Sequence, residues 1–204
     1  MQSLIDGYHE FRTTYYRENE KLLRDLFNRG QRPKAMLIAC ADSRIDPALQ
    51  LGAKPGDVFM VRNVANLVPP YMPDEDYHGT SAALEFAVQV LKVEHIIILG
   101  HARCGGIGAL LSGPVAGKTD FVNIWMRIAE PALRKVEALN IADADDRQLR
   151  LELEAVKVSE KNLLTFPWVK SAVDAGRLKI HGWYFNIGTG ELWKQDDAGK
   201  FVKA

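Results

Sequence analysis

Three short runs in which nearly every residue is apolar set the tightest limit on what this chain can fold into: Ala35-Met36-Leu37-Ile38-Ala39, Asp57-Val58-Phe59-Met60-Val61 and His95-Ile96-Ile97-Ile98-Leu99-Gly100. A strand with one face in water alternates apolar and polar residues, whereas a run without alternation suits a strand covered on both faces, as in a parallel sheet. Between the second and third runs, Gly79-Thr80-Ser81 leads into good helix formers from Ala82 to Leu91, with capping residues at its start. Strand, crossover helix and strand predict an α/β fold with a mainly parallel central sheet flanked by helices.

The flanks complete that expectation. Residues 1–30 carry apolar positions at helical spacing (Leu4, Ile5, Tyr8, Phe11 and Tyr15, then Leu22, Leu23, Leu26 and Phe27) and stop at Gly30, which predicts an N-terminal arm of one or two helices. The arm either packs on the domain or, given Tyr8, Phe11, Tyr15 and Tyr16, meets another subunit. Residues 121–139 and 145–164 read as helices, with Pro167 and Gly176 as breaks. Residues 178–185 alternate as a strand and turn through Asn186-Ile187-Gly188-Thr189-Gly190 into Glu191-Leu192-Trp193, a C-terminal hairpin. At 204 residues, without repeat or linker, one domain spanning 1–204 is expected.

Charge narrows the partners. Twenty-six basic residues balance 26 acidic ones, so no long-range field gathers polyanions, and nucleic acid is excluded in favour of a small substrate. No apolar run approaches the roughly 20 residues of a membrane span, so no membrane role is expected. The first residues lack a basic segment followed by an apolar run, which predicts a cytoplasmic protein with reduced thiols.

The chemistry sits at the ends of the apolar runs. Cys40 follows the first directly and His101 the third, with Cys104 closing His101-Ala102-Arg103-Cys104-Gly105-Gly106. Open α/β sheets bind ligands at the carboxyl ends of their strands, and two neighbouring parallel strands would bring residues 61 positions apart to one metal. Thiolate, imidazole and thiolate make a catalytic zinc set with the fourth position open. The alternatives are a disulfide or two unrelated thiols. Gly105-Gly106 would let the backbone bend near the metal without a clash. No dinucleotide or phosphate-loop glycine pattern is present.

Asp42 and Arg44 form a second constellation. Two residues apart, they can make a bidentate pair that keeps Asp42 ionised and oriented, so that Asp42 need not bind the metal and can instead accept a hydrogen bond from hydroxide there. The bland alternative is a surface ion pair worth at most about 1 kcal/mol. His9, His78, His95 and His181 have no partner in sequence and are expected to be solvated or packed.

Cys40-Ala41-Asp42-Ser43-Arg44 with the later His101-Ala102-Arg103-Cys104-Gly105-Gly106 resembles the β-class carbonic anhydrases, and Arg62-Asn63-Val64-Ala65-Asn66 and Gly182-Trp183-Tyr184 are similar to further family segments. The likeness runs from about Gln31 to Leu192. It implies zinc on Cys40, His101 and Cys104, a homodimer or higher homo-oligomer, and reversible hydration of carbon dioxide to bicarbonate and a proton by zinc-bound hydroxide. It also implies that Asp42 and Arg44 gate the site, with Asp42 able to close it as a fourth ligand and inactivity at lower pH as the result. The family's bicarbonate-regulated branch carries tryptophan three positions before the first zinc cysteine, and here Leu37 stands there.

Gln31, Phe59 and Val64 instead resemble the plant-type branch, whose pocket is lined partly by the neighbouring subunit. There Gln31 would donate to a substrate oxygen, Phe59 and Val64 would form an apolar wall, and the Gly105 amide would help place substrate. Phe86 stands where that branch often has tyrosine, and Val90 where a proton-carrying histidine can sit. Two rivals are attack on carbonyl sulfide or carbon disulfide by the same nucleophile, and a structural zinc protein whose metal Asp42 closes.

Overall fold

The computed structural model describes residues 1–113 and 119–204. Strands β1 (Ala35–Cys40), β2 (Val58–Asn63), β3 (His95–His101), β4 (Lys179–Asn186), β5 (Glu191–Gln195) and β6 (Phe201–Lys203) form one sheet in the order β2-β1-β3-β4-β5-β6. The first four are mutually parallel, and β5 and β6 continue the sheet antiparallel. The expected hairpin is β4 with β5, turning at Gly190 in a left-handed conformation (φ 72°). β6 is an addition that its three residues are too short to signal.

Alternate residues of β1 and β3 enter two separate cores, as strands covered on both faces must. Met36, Ile38, Ile96 and Ile98 pack with Val156, Leu163 and Phe166, while Leu37, Ala39, Ile97 and Leu99 pack with Leu51, Met60, Trp183 and Leu192. A Cβ on Gly100 would lie 2.8 Å from Val156 Cγ2, so the helix that carries Val156 presses on β3 where only glycine leaves room.

The arm is three helices, α1 (Gln2–Thr13), α2 (Tyr15–Glu18) and α3 (Glu20–Arg29), and none of their residues is buried. Side chains set its breaks: the Thr14 hydroxyl donates to Glu10 O and Asn19 Nδ2 donates to Tyr15 O, giving the backbone local alternatives to a continuous helix. α4 (Pro47–Leu51) starts where Asp46 accepts from the amides of Ala48 and Leu49. α5 (Gly79–Glu85) has His78, not Thr80 or Ser81, at its N-cap, with no side-chain capping bond, and gives way to a π-helical turn over Phe86–Leu91. Helical periodicity does not separate α from π, so the sequence predicts a single helix where the structure has two kinds of turn.

Beyond the third strand lie α6 (Gly105–Ser112), α7 (Val122–Met126), α8 (Glu130–Glu137), α9 (Ala144–Leu163) and α10 (Pro167–Asp174). The expected break at Pro167 falls between α9 and α10, and Pro167 itself opens α10, since a proline in the first turn lacks only an amide hydrogen that would have no helical partner.

Candidate metal centre

The strand order reverses between β1 and β3, because the chain leaves β1 for β2 on one side and crosses back to β3 on the other. Ligands in open α/β sheets gather at the carboxyl ends beside such a reversal. Cys40 ends β1 and His101 ends β3, and Ala39 is paired with Leu99 just before them. Arg103 then takes a left-handed conformation (φ 55°) and turns Cys104 into the N-cap of α6. The bend expected of Gly105-Gly106 is therefore made by Arg103. Gly106 serves packing instead, since a Cβ there would lie 3.1 Å from Val64 Cγ1, and Gly105 faces open space.

The donor atoms of Cys40, His101 and Cys104 lie within 4.8 Å of one another, and all three residues are buried. The sulfurs are 4.0 Å apart. His101 Nδ1 lies 2.9 Å from Ala102 O, a contact that makes Nδ1 the protonated nitrogen and leaves the Nε2 lone pair free. Nε2 is buried without a hydrogen-bond partner, an orphan of the sort a buried polar atom avoids unless something else binds it. Two sulfurs and a free imidazole lone pair, dry and converging, fit a zinc ion.

Electrostatics agree. The hydrogen bond shared with Cys104 outweighs burial and pushes the Cys40 thiol pKa down, while the same bond and burial push Cys104 up. The Ala65 amide also donates to Cys40 Sγ at 3.3 Å. Burial works to lower the His101 pKa, but the negative charge on the nearby Cys40 sulfur and the Ala102 carbonyl on Nδ1 hold it above the ordinary imidazole value. The negative charge is thus drawn to one of the two sulfurs, that of Cys40.

Asp42 and Arg44 make the bidentate pair expected of their spacing. Asp42 Oδ1 accepts from Arg44 N and Nε, both at 3.0 Å, and Oδ2 accepts from Nη2 at 2.7 Å. Those bonds hold the Asp42 carboxyl far below the usual carboxylate range. Arg44 Nη2 also donates to Arg103 O at 2.8 Å, tying the pair to the loop between His101 and Cys104. Asp42 Oδ2 lies 3.9 Å from His101 Nε2.

The sequence marks Arg62 only by its place in the Arg62-Asn63-Val64-Ala65-Asn66 segment. Its guanidinium donates to the carbonyls of Cys40, Asp42 and Ile45, and so fixes the loop that carries both Cys40 and Asp42. Nothing local in the sequence marks that reach across 22 positions.

The expected substrate residues divide. Val64 is partly exposed beside Gly106, its carbonyl held by Trp125 Nε1 at 2.8 Å, and Gly105 begins α6 next to Cys104. Phe59 is paired with Met36, four residues before the Cys40–Asn63 pair, roughly 13 Å along the strand at ~3.3 Å per residue. Its ring packs against that of Phe86 in the π turn, with centroids 5.8 Å apart and the planes tilted by 33°. Gln31 lines a separate recess with Pro33, Val90 and Leu91. One chain therefore joins Cys40, His101, Cys104, Asp42, Arg44, Val64 and Gly105, and leaves Gln31, Phe59 and Phe86 elsewhere.

A family model described as carbonic anhydrase matches residues 35–192. Beta carbonic anhydrase 3 of Arabidopsis thaliana is 37% identical over 203 residues, 96% of this chain and 78% of the relative. This chain belongs to the β-carbonic anhydrases. Among solved structures, the β-carbonic anhydrase CcaA matches with a TM-score of 0.93 at 33% identity, covering 100% of this chain and 92% of its own. A tetrameric β-carbonic anhydrase from Sordaria macrospora matches at 0.83 and 30%, covering 98% of each chain.

As a carbonic anhydrase the protein is a lyase, and its fold and family agree with the sequence reading. The remaining histidines of this β-carbonic anhydrase are less solitary than expected. His78 Nε2 lies 2.6 Å from Asp74 Oδ1, and His95 Nδ1 lies 3.1 Å from His181 Nε2 across β3 and β4. Burial, with His95 adding to it, pushes the His181 pKa down.

Proposed function

We propose that this enzyme hydrates carbon dioxide reversibly to bicarbonate and a proton, with zinc held by Cys40 Sγ, His101 Nε2 and Cys104 Sγ. When bound, zinc supplies a Lewis acid that lowers the pKa of water to about 7, so that a nucleophile is available near neutrality. The observation that carries the reading is the state of Asp42, whose two oxygens are both occupied by Arg44 while Oδ2 still lies 3.9 Å from His101 Nε2. A carboxylate held this way is kept from closing the metal as a fourth ligand. Its Oδ2 would remain an acceptor beside His101 Nε2, where it can orient the attacking oxygen.

Val64 presents an apolar wall that suits a neutral linear substrate, and the Gly105 amide, in the first turn of α6, donates to a substrate oxygen as charge develops on it. Gln31, Phe59 and Phe86 would line the pocket of a second copy in a homo-oligomer, a state supported by the exposed arm and the tetrameric relative. With Val90 in the place of a proton-carrying histidine, the proton leaves to buffer. A cytoplasmic location, where both thiols would stay reduced, goes with this reading.

Stopped-flow carbon dioxide hydration on zinc-quantified protein tests the reading, with Cys40→Ser and Asp42→Asn alongside. Wild type is expected to be active, Cys40→Ser zinc-poor and inactive, and Asp42→Asn zinc-loaded but slow. Fully loaded wild type without activity at any pH would sink the proposal. Four protein ligands on the metal across pH 6 to 9 would instead favour a structural zinc protein.

A further inference from the structure

Glu152 on α9 is 4% exposed and has no part in the chemistry described so far. Its Oε1 accepts from the Cys104 amide at 2.9 Å and from Gln148 Nε2 at 3.0 Å, and its Oε2 accepts from the Tyr184 hydroxyl at 2.7 Å. Tyr184 is buried on β4, paired with Gly100, the residue before His101. One carboxylate therefore gathers three donors from the helix behind the metal centre, the neighbouring strand and a metal ligand's own backbone.

A carboxylate taken out of water is costly unless compensated, and a buried carboxylate ordinarily finds a cation. Among the described residues no lysine, arginine or histidine forms an ion pair with Glu152. A leucine there would fill the space at lower desolvation cost but leave the Cys104 amide without its acceptor. The amide needs that acceptor because Cys104 caps α6, follows the left-handed Arg103 and lies too early in the helix for an intrahelical partner. Gln148 Nε2 also approaches the Cys104 carbonyl at 3.5 Å, so residues one turn apart on α9 address both polar groups of the same peptide backbone.

We propose that Glu152 is a positioning residue for the metal centre: by accepting from the Cys104 amide, and being held in turn by Tyr184 and Gln148, it sets the Cys104 backbone so that Sγ faces Cys40 Sγ and His101 Nε2. This rests on the zinc reading above. Groups that orient metal ligands from behind typically change metal affinity or activity by roughly 10–100-fold when altered.

The test separates geometry from charge and from general stability. Glu152→Gln keeps an acceptor at the Cys104 amide and loses the charge, whereas Glu152→Asp keeps the charge and draws the acceptor back by one methylene. Zinc release from each holoenzyme is followed with a chromophoric chelator, beside thermal melts of the metal-free protein and the sulfur-to-metal charge-transfer band of the cobalt-substituted protein. Glu152→Asp is expected to release zinc roughly 10–100-fold faster than wild type with a shifted band, and Glu152→Gln to stay within a few-fold with the band in place.

Wild-type release from Glu152→Asp overturns the proposal, as does equally fast release from both variants, which would assign the effect to charge. Release rates that simply follow melting temperature would make the role structural and overturn it too. If Glu152→Asp does not fold, Gln148→Ala replaces it, because it removes a donor from Oε1 and a contact to the Cys104 carbonyl; unchanged release then overturns the proposal. A wild-type protein that binds no zinc would instead defeat the zinc reading, a result visible before any variant is made.

Discussion

The carboxyl ends of β1 and β3 and the N-terminal arm stand in opposite states of completion. At the strand ends the loops are fixed from within the chain: Arg62 binds three carbonyls, Arg44 binds Asp42 and Arg103, and Glu152 binds Cys104. In the arm no residue is buried, and Leu4 and Phe27 are 69% and 89% exposed. Apolar surface in water costs roughly 25 cal/mol per Å² relative to burial, so the arm has its stabilising contacts still to make. The metal centre is a property of one chain, whereas in the proposed homo-oligomer the arm and the Gln31, Phe59 and Phe86 side of the pocket would meet another.

The largest effect expected on one side of that contrast alone is from Cys104→Ala, which abolishes zinc binding and hydration while leaving the oligomer intact by light scattering. On the other side, Leu4→Asp with Phe11→Asp should yield smaller species that keep one zinc per chain. Their hydration should fall by about tenfold or more, about 1.4 kcal/mol of transition-state stabilisation. Full activity in dissociated chains would show that the pocket needs no neighbour and would erase the contrast.

Smaller effects sharpen it. Gly100→Ala drives a methyl against Val156 and is expected to lower stability by about 1–3 kcal/mol in urea titrations, without changing the oligomer. The smallest concerns Asp42, whose pKa is lowered on folding by the Arg44 bonds. A depressed carboxylate stabilises in full above its unfolded value of about 3.9 and loses that stabilisation as pH falls through the folded value. Because Arg44 is half exposed, metal-free wild type should exceed Asp42→Asn by no more than about 1 kcal/mol at pH 5 to 7, with the difference fading below about pH 4. A difference that grew toward acid would refute the clasp.

The parts of this protein legible in sequence are those whose cause is local. Runs such as Ile96-Ile97-Ile98 announce a strand covered on both faces, and donor atoms directly after two such runs announce where a metal can sit. Asp42 and Arg44 pair across two positions, within reach of spacing alone. What escaped depends on distant partners. Arg103 turns left-handed although it is not glycine, Arg62 reaches back 22 positions, and Glu152 reaches a backbone amide 48 positions away. Gln31, Phe59 and Phe86 escape for another reason: within one chain they lie away from its own metal centre, and the place proposed for them beside another's depends on a second copy.

The strand order has a kinetic consequence. Cys40 and His101 sit on neighbouring parallel strands, yet all of β2 and the crossover that follows it lie between them in the chain. Closing a long segment is entropically slow and gains nothing until the non-local contacts form. A divalent ion that needs both strand ends therefore has no site in a partly folded chain. Metal uptake during refolding becomes a clock for the closing of the sheet, striking only once β1 and β3 lie side by side.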